Sequence, residues 1–310
     1  MNKRKVIIDC DPGIDDAFAI ALAHYEPSFE IIAIHTVAGN VSIENTTRNA
    51  RGLAEILDLK APICQGSGEP LIYEPFFASE VHGHNGFGGV ELTDLKPLSP
   101  LSAMASYVDI LENSTEKVTI LAIGPLTNIA LLFKAYPHLK SKVDLLSIMG
   151  GGLKGGNTTS AGEFNFYVDP HAAHIVFKSG IPIIMAGLDA TELGGINQKD
   201  IEYIRDHGGA LGQLLHDISK PNFEFVRAYN QQDSINLHDA MAVLSLTNPE
   251  LFEMMDTYVD VAYDNNLMRG MSLADVRPRS RKEPNAKVLV DVDQDGFKEK
   301  IISMIINGGQ

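Results

Sequence analysis

Val6-Ile7-Ile8-Asp9-Cys10-Asp11-Pro12-Gly13-Ile14-Asp15-Asp16 sets four carboxylates within eight residues, directly after a short apolar run. The run is strand-like, Pro12-Gly13 is a turn, and Ala17, Ile20 and Ala21 follow at helical spacing. The stretch therefore reads as strand, tight turn and helix, the building unit of an α/β sheet. Asp11 leaves the carboxyl end of the strand, while Asp15 and Asp16 fall in the first helical turn, where the helix dipole favours negative charge. Carboxylates this close repel and raise one another's pKa, so a cluster at the end of a buried strand needs a metal, a shared proton or solvent. The stretch is a candidate divalent-cation site.

The same alternation continues along the chain. Apolar, strand-like runs at 29–36, 118–123, 143–149, 181–186 and 287–292 are separated by helical patterns, among them 128–133 and 43–57, where Ala50, Leu53, Ala54 and Leu57 share a face. This predicts an α/β fold, an open, mostly parallel sheet with helices on both faces, in a single domain spanning 1–310. The polar stretches 66–100 and 266–285 read as long excursions from that domain, with active-site excursions expected around 74–90 and 220–235. In open α/β sheets, ligands collect beyond the carboxyl ends of the strands. Polar groups stand there: Gly39-Asn40, the segment 124–128, and Met149-Gly150-Gly151. Asn157, Glu163 and Asn165 add two amides and a carboxylate, and His238-Asp239 adds an imidazole beside an acid. Such groups suit a polyol held on a metal, because amides and carboxylates grip hydroxyls and His can protonate a leaving group.

Composition narrows the partners. The 310 residues carry 25 Lys and Arg against 40 Asp and Glu, a formal charge of −15. That balance disfavours nucleic acid, anionic membranes and highly phosphorylated ligands, and points to a neutral or cationic small molecule. No apolar run is long enough for a bilayer span, and the basic start is followed by a run that Asp9 cuts short of a signal peptide. Cys10 and Cys64 are the only cysteines, which fits a reducing cytoplasm.

Taken in order, the segments 9–16, 36–40, 124–130, Met149-Gly150-Gly151, Glu163-Phe164-Asn165 and His238-Asp239 resemble the inosine-uridine nucleoside hydrolase family over nearly the whole chain. Segments 37–41, 46–50 and 123–132 most resemble its non-specific members, which accept purines and pyrimidines. The resemblance implies a Rossmann-like nucleoside hydrolase fold. It also implies hydrolysis of the N-glycosidic bond of ribonucleosides of the uridine, cytidine, inosine and adenosine type, giving free base and ribose. Ca²⁺ would be held by Asp11, Asp16, the backbone carbonyl of Thr127 and Asp239, with Asp11 also activating the water on the ion. Asp15, Asn40, Asn157, Glu163, Asn165 and the backbone of Met149 would bind the ribose. His238, partnered by His82 in a glycine-rich flap, would assist the departing base. A homodimer or homotetramer is implied on the same ground. The chain departs from the family at His84-Asn85 before Gly86, and at Ala240-Met241 after Asp239, which bears on base contacts and on packing rather than on the metal ligands.

Two other readings fit parts of the pattern. Asp9-x-Asp11 after a first strand also opens haloacid-dehalogenase-like phosphohydrolases, but Pro12-Gly13 follows here and Asp15-Asp16 crowd the same turn. A non-catalytic nucleoside or sugar binder could use the same polyol contacts. The segment 291–296 imitates a calcium loop, yet a strand precedes it and Ile302 stands where the loop needs a Glu. It reads as a last strand, an acidic turn and a helix over 297–306.

Overall fold

The computed structural model of the chain describes residues 3–229, 233–277 and 282–308. Strands β1 (Arg4–Cys10), β2 (Phe29–Thr36), β3 (Ile63–Gln65), β4 (Val118–Ala122), β5 (Val143–Met149) and β6 (Ile183–Ala186) run parallel, with helices between most of them. Next come β7 (Gly195–Asn197) and β8 (Ser234–Asn236), which pair antiparallel, then β9 (Phe252–Thr257), the antiparallel pair β10 (Val259–Val261) and β11 (Ser272–Ala274), and β12 (Ala286–Val292). The main sheet has the order β3-β2-β1-β4-β5-β6-β12-β9, in which only β9 is antiparallel to its neighbour.

Both faces of this sheet are covered, which is why its strands read as unbroken apolar runs. Strand alternation divides β1 between two layers. Val6, Ile8 and Cys10 join the core formed with helices Ile14–Tyr25 and His238–Thr247, whereas Ile7 joins the core formed with helices Ala103–Asn113, Thr127–Ala135 and Pro170–Phe177. The chain runs from β1 outward to β3 and returns on the other side of β1 as β4. The strand order reverses at that point, so the loops after β1 and β4 part and leave a crevice. Asp11 follows β1 and Thr127 begins the helix after β4, one on each side of it.

Asp9 does not belong with the other three carboxylates of its stretch, contrary to the reading of all four as one cluster. It is buried beneath the crevice, where its Oδ2 accepts a hydrogen bond from the Tyr107 hydroxyl at 2.9 Å and from Asn128 Nδ2 at 3.1 Å. The same Asn128 amide donates to the Thr36 carbonyl at 3.1 Å, and its oxygen accepts from Ser67 N at 2.9 Å. Asp9 thus ties β1, β2 and the start of the post-β4 helix into one polar knot under the site. Burial pushes its carboxyl up to about 7 despite these donors.

At the C-terminal end, β12 is followed by helix Gln294–Gly308, so the imitation of a calcium loop is a strand-to-helix turn. Removing the Tyr107 hydroxyl leaves a buried carboxyl with one donor fewer. Tyr107→Phe is expected to cost about 1–3 kcal/mol of unfolding free energy, read as a lower urea midpoint at unchanged slope.

Candidate active site

The turn after β1 is held by its own carboxylates. Asp16 accepts from Asp11 N at 3.2 Å, Gly13 N at 2.9 Å and Asn40 Nδ2 at 3.1 Å, which caps helix Ile14–Tyr25. Asp11 Oδ2 accepts from the backbone N–H of Asn40 at 2.7 Å. Asp11 Oδ1 is buried and has no hydrogen-bond partner. Two glycines make room for this side chain: a Cβ on Gly39 would lie 2.1 Å from Asp11 Oδ2, and one on Gly124 would lie 2.6 Å from Oδ1.

Helix His238–Thr247 brings Asp239 to the same place from the far end of the sequence. Asp15, Asp16 and Asp239 each offer an oxygen within 4.8 Å of the others'. Asp11 adjoins this trio and feels its charge. Burial, then the charge of Asp16, hold Asp11 well above the usual carboxylate range. Asp239 is held there by burial and by Asp15, Asp16 and Asp11. Asp16 is pushed up to about 7 by burial and Asp15, and Asp15 is raised by burial against the opposing pull of His238. Buried acids raised by one another, with one oxygen unpartnered, are a donor set suited to a hard divalent cation. Thr127 is also buried, at the start of the helix after β4, and its hydroxyl donates to Asp169 Oδ2 at 2.7 Å.

A cavity of about 760 Å³ opens above this floor. Asp15, Asn40, Met149, Asn157, Glu163 and Asn165 line it, as do His82, His238 and Asp239. Asp11, Asp16 and Thr127 are not among the lining residues and lie buried below. Of the residues singled out for the metal, the ribose and the leaving base, all but Asp11, Asp16 and Thr127 therefore line one cavity. Glu163 caps helix Phe164–Val168 and accepts from Asn165 N at 3.0 Å, Gly151 N at 2.8 Å and Phe166 N at 3.2 Å. Burial still pushes it up to about 7. Asn165 Nδ2 donates to the carbonyls of Ile123 at 3.1 Å and Met149 at 3.3 Å, so it pins the ends of β4 and β5 together. Asn157 Oδ1 accepts from Phe164 N at 3.0 Å.

The two histidines come from opposite sides. His238 Nδ1 lies 2.8 Å from the Thr191 hydroxyl, and burial lowers its pKa while Asp15 raises it. His82 Nδ1 accepts from the backbone N–H of Ile14 at 3.1 Å, and burial pushes this ring down to about 4. His84 is exposed and does not line the cavity. Gln232 and the Tyr229 side chain, in the excursion expected around 220–235, fall outside the described residues. The rest of the lining was not singled out from the sequence. It includes the apolar Phe76, Phe77, Phe164, Phe225 and Val226, and the polar Glu192, Asn222, Ser234 and Asn236. The Phe76-Phe77 pair in a polar excursion was the one available signal.

An α/β sheet with an acidic crevice at its switch point is the setting of an enzyme acting on a small molecule. The profile of the inosine-uridine preferring nucleoside hydrolases matches residues 6–299. The pyrimidine-specific ribonucleoside hydrolase RihA of Salmonella paratyphi B is 39% identical over 300 residues, covering 94% of this chain and 95% of that one. The non-specific ribonucleoside hydrolase RihC of Salmonella enteritidis is 38% identical over 296 residues, covering 95% of each. Among solved structures, the purine-preferring ribonucleoside hydrolase of Gardnerella vaginalis superposes with a TM-score of 0.92 at 29% identity, covering 99% of both chains. A plant nucleoside hydrolase superposes at 0.90 with 31% identity, covering 98% of this chain and 99% of that one. The chain belongs to the inosine-uridine preferring nucleoside hydrolase family and is a ribonucleoside hydrolase, acting on N-glycosyl bonds.

The raised acids give a linkage with a definite sign. For Asp16 the folded pKa exceeds the unfolded one, so without a cation its contribution to stability is full below about pH 4 and is lost as pH rises through about 7, and Asp11, Asp15 and Asp239 are raised in the same direction. A cation needs them ionised. The calcium-induced rise in Tm, measured against a chelator control, is therefore expected to be larger at about pH 8 than at about pH 5. An equal rise at both would contradict the cluster as its binding site.

Proposed function

We propose that this enzyme hydrolyses purine and pyrimidine ribonucleosides with the help of one Ca²⁺, held by Asp11, Asp16, Asp239 and the Thr127 carbonyl. The observation that carries the reading is the buried, partnerless Oδ1 of Asp11 on the floor of a cavity that Asp15 and Asp239 also line. When bound, the ion would acidify a water and chelate the ribose 2′- and 3′-hydroxyls. Asp11 takes the proton of the attacking water. Its raised proton affinity suits a base that must gain a proton in the transition state. Attack at C1′ from the face opposite the base inverts the anomeric configuration.

Asp15, Asn40, Asn157, Glu163, Asn165 and the backbone of Met149 hold the ribose as it gains oxocarbenium character. Their hydrogen bonds to the surrounding backbone fix them in advance, so little reorganisation is needed at the moment of reaction. The departing base leaves toward His238 and His82. Asp15 beside His238 favours its charged form, and that opposes burial. The relatives' printed names range from pyrimidine-specific through non-specific to purine-preferring. A broad cavity lined by both apolar and polar side chains supports acceptance of both base classes. The reading places the enzyme in nucleoside salvage in the cytoplasm, as a homodimer or homotetramer, and its two buried free cysteines suit that compartment.

Asp11→Asn removes base and ligand charge together and is expected to lower kcat by at least about 100-fold; near-normal turnover would sink the assignment. His238→Ala is expected to keep the calcium-induced rise in Tm while losing turnover. Deoxyuridine is expected to be a poor substrate beside uridine, because one of the chelating hydroxyls is missing; equal rates would contradict the diol contact.

A further inference from the structure

We propose that Asn49 is a positioning residue that clasps the glycine-rich flap to the acidic turn and thereby presents His82 to the base as a neutral Nε2–H donor. The inference deepens the nucleoside reading of this cavity and rests on it. Asn49 lies on helix Ile43–Ile56, is 4% exposed and does not line the cavity. Its Nδ2 donates to the Pro12 carbonyl at 2.9 Å and to the Asn85 carbonyl at 2.8 Å. Both partners are acceptors, so the amide has only one possible orientation. One hydrogen reaches the turn that carries Asp11, Asp15 and Asp16, and the other reaches the flap three residues beyond His82.

The flap hangs from this clasp as a unit. The Asn85 side chain donates to the Val90 carbonyl at 2.8 Å and accepts from Phe87 N at 3.1 Å and Gly89 N at 2.9 Å. Gly86 has φ +85°, and a Cβ there would lie 2.7 Å from Asn49 Nδ2. A Cβ on Gly13 would lie 2.6 Å from His82 Nδ1. Glycine at both positions lets flap and turn close on each other.

Closure fixes the imidazole. The Ile14 N–H, at the start of a helix, can only donate, so His82 Nδ1 is an acceptor and the ring hydrogen sits on Nε2. A second proton would set N–H against N–H. His82 is therefore a hydrogen-bond donor for an acceptor atom of the base, and the proton that leaves with the base comes from His238. The low proton affinity that burial gives His82 agrees with this division.

The test uses the full chain with ¹⁵N-labelled histidine. Ring ¹⁵N shifts of the wild type are expected to show His82 as the neutral Nε2–H tautomer, and Asn49→Ala to show averaging of the two tautomers. With uridine, Asn49→Ala is expected to raise KM about tenfold with kcat within about threefold, since two hydrogen bonds that act on binding are lost. His82→Ala is expected to raise KM at least as much and to lower kcat further, since a donor to the leaving base also acts in the transition state, and the double variant to be no worse than His82→Ala alone. A wild-type Nδ1–H tautomer would overturn the proposal, as would an unaltered His82 spectrum in Asn49→Ala or additive losses in the double variant. Should Asn49→Ala not fold, Asn49→Ser keeps one donor and is read by the same spectrum. If no nucleoside is cleaved by any variant, the function assignment fails while the spectra still decide the clasp.

Discussion

Electrostatic repulsion among buried carboxylates organises this molecule. Asp11, Asp16 and Asp239 are brought together with almost no solvent, with the half-buried Asp15 beside them, at the point where the sheet order reverses. Water would ordinarily screen such charges. Here backbone N–H groups and the Asn40 amide do part of that work, and Asp11 Oδ1 is left over. A cluster that is costly when ionised and empty, yet complementary to a hard cation, puts its full free energy into binding and polarising a ligand.

The surroundings are built to keep that cluster in place. Below it, Asp9, Tyr107 and Asn128 lock β1, β2 and the post-β4 helix together, so the two loops that part at the switch point cannot drift. Above it, Glu163 and Asn165 bind the ends of β4 and β5, and the flap settles on the turn through Asn49 and His82. Asn128, Glu163, Asn165, Asn49 and His82 each hydrogen-bond the backbone of another element. The crevice is thereby braced from several elements, and side chains of the flap and of helix Gly209–Tyr229 also line the cavity.

Much of this was legible in the sequence because parallel strands buried on both faces leave long apolar runs, and because the strand-end residues carry the site. Strands at 29–36 and 143–149 fall where the runs placed them, and the residues singled out for the ribose and the leaving base line the cavity. Asp9 was legible as an acid but not as part of the knot below, since its partner Tyr107 lies 98 positions away on a helix whose docking no local pattern reveals. Asn49 stood inside a quoted motif, yet its role depends on two loops meeting in space. The apolar lining of Phe76, Phe225 and Val226 was hidden for the same reason, because loops and a late helix set it rather than any periodicity.

Release of free ribose from uridine and from inosine in phosphate-free buffer, with and without a calcium chelator, tests the central claim most directly. The account predicts ribose from both nucleosides without added phosphate, lost on chelation and restored by calcium. Ribose release that persists undiminished under chelation, or none with calcium present, would contradict it.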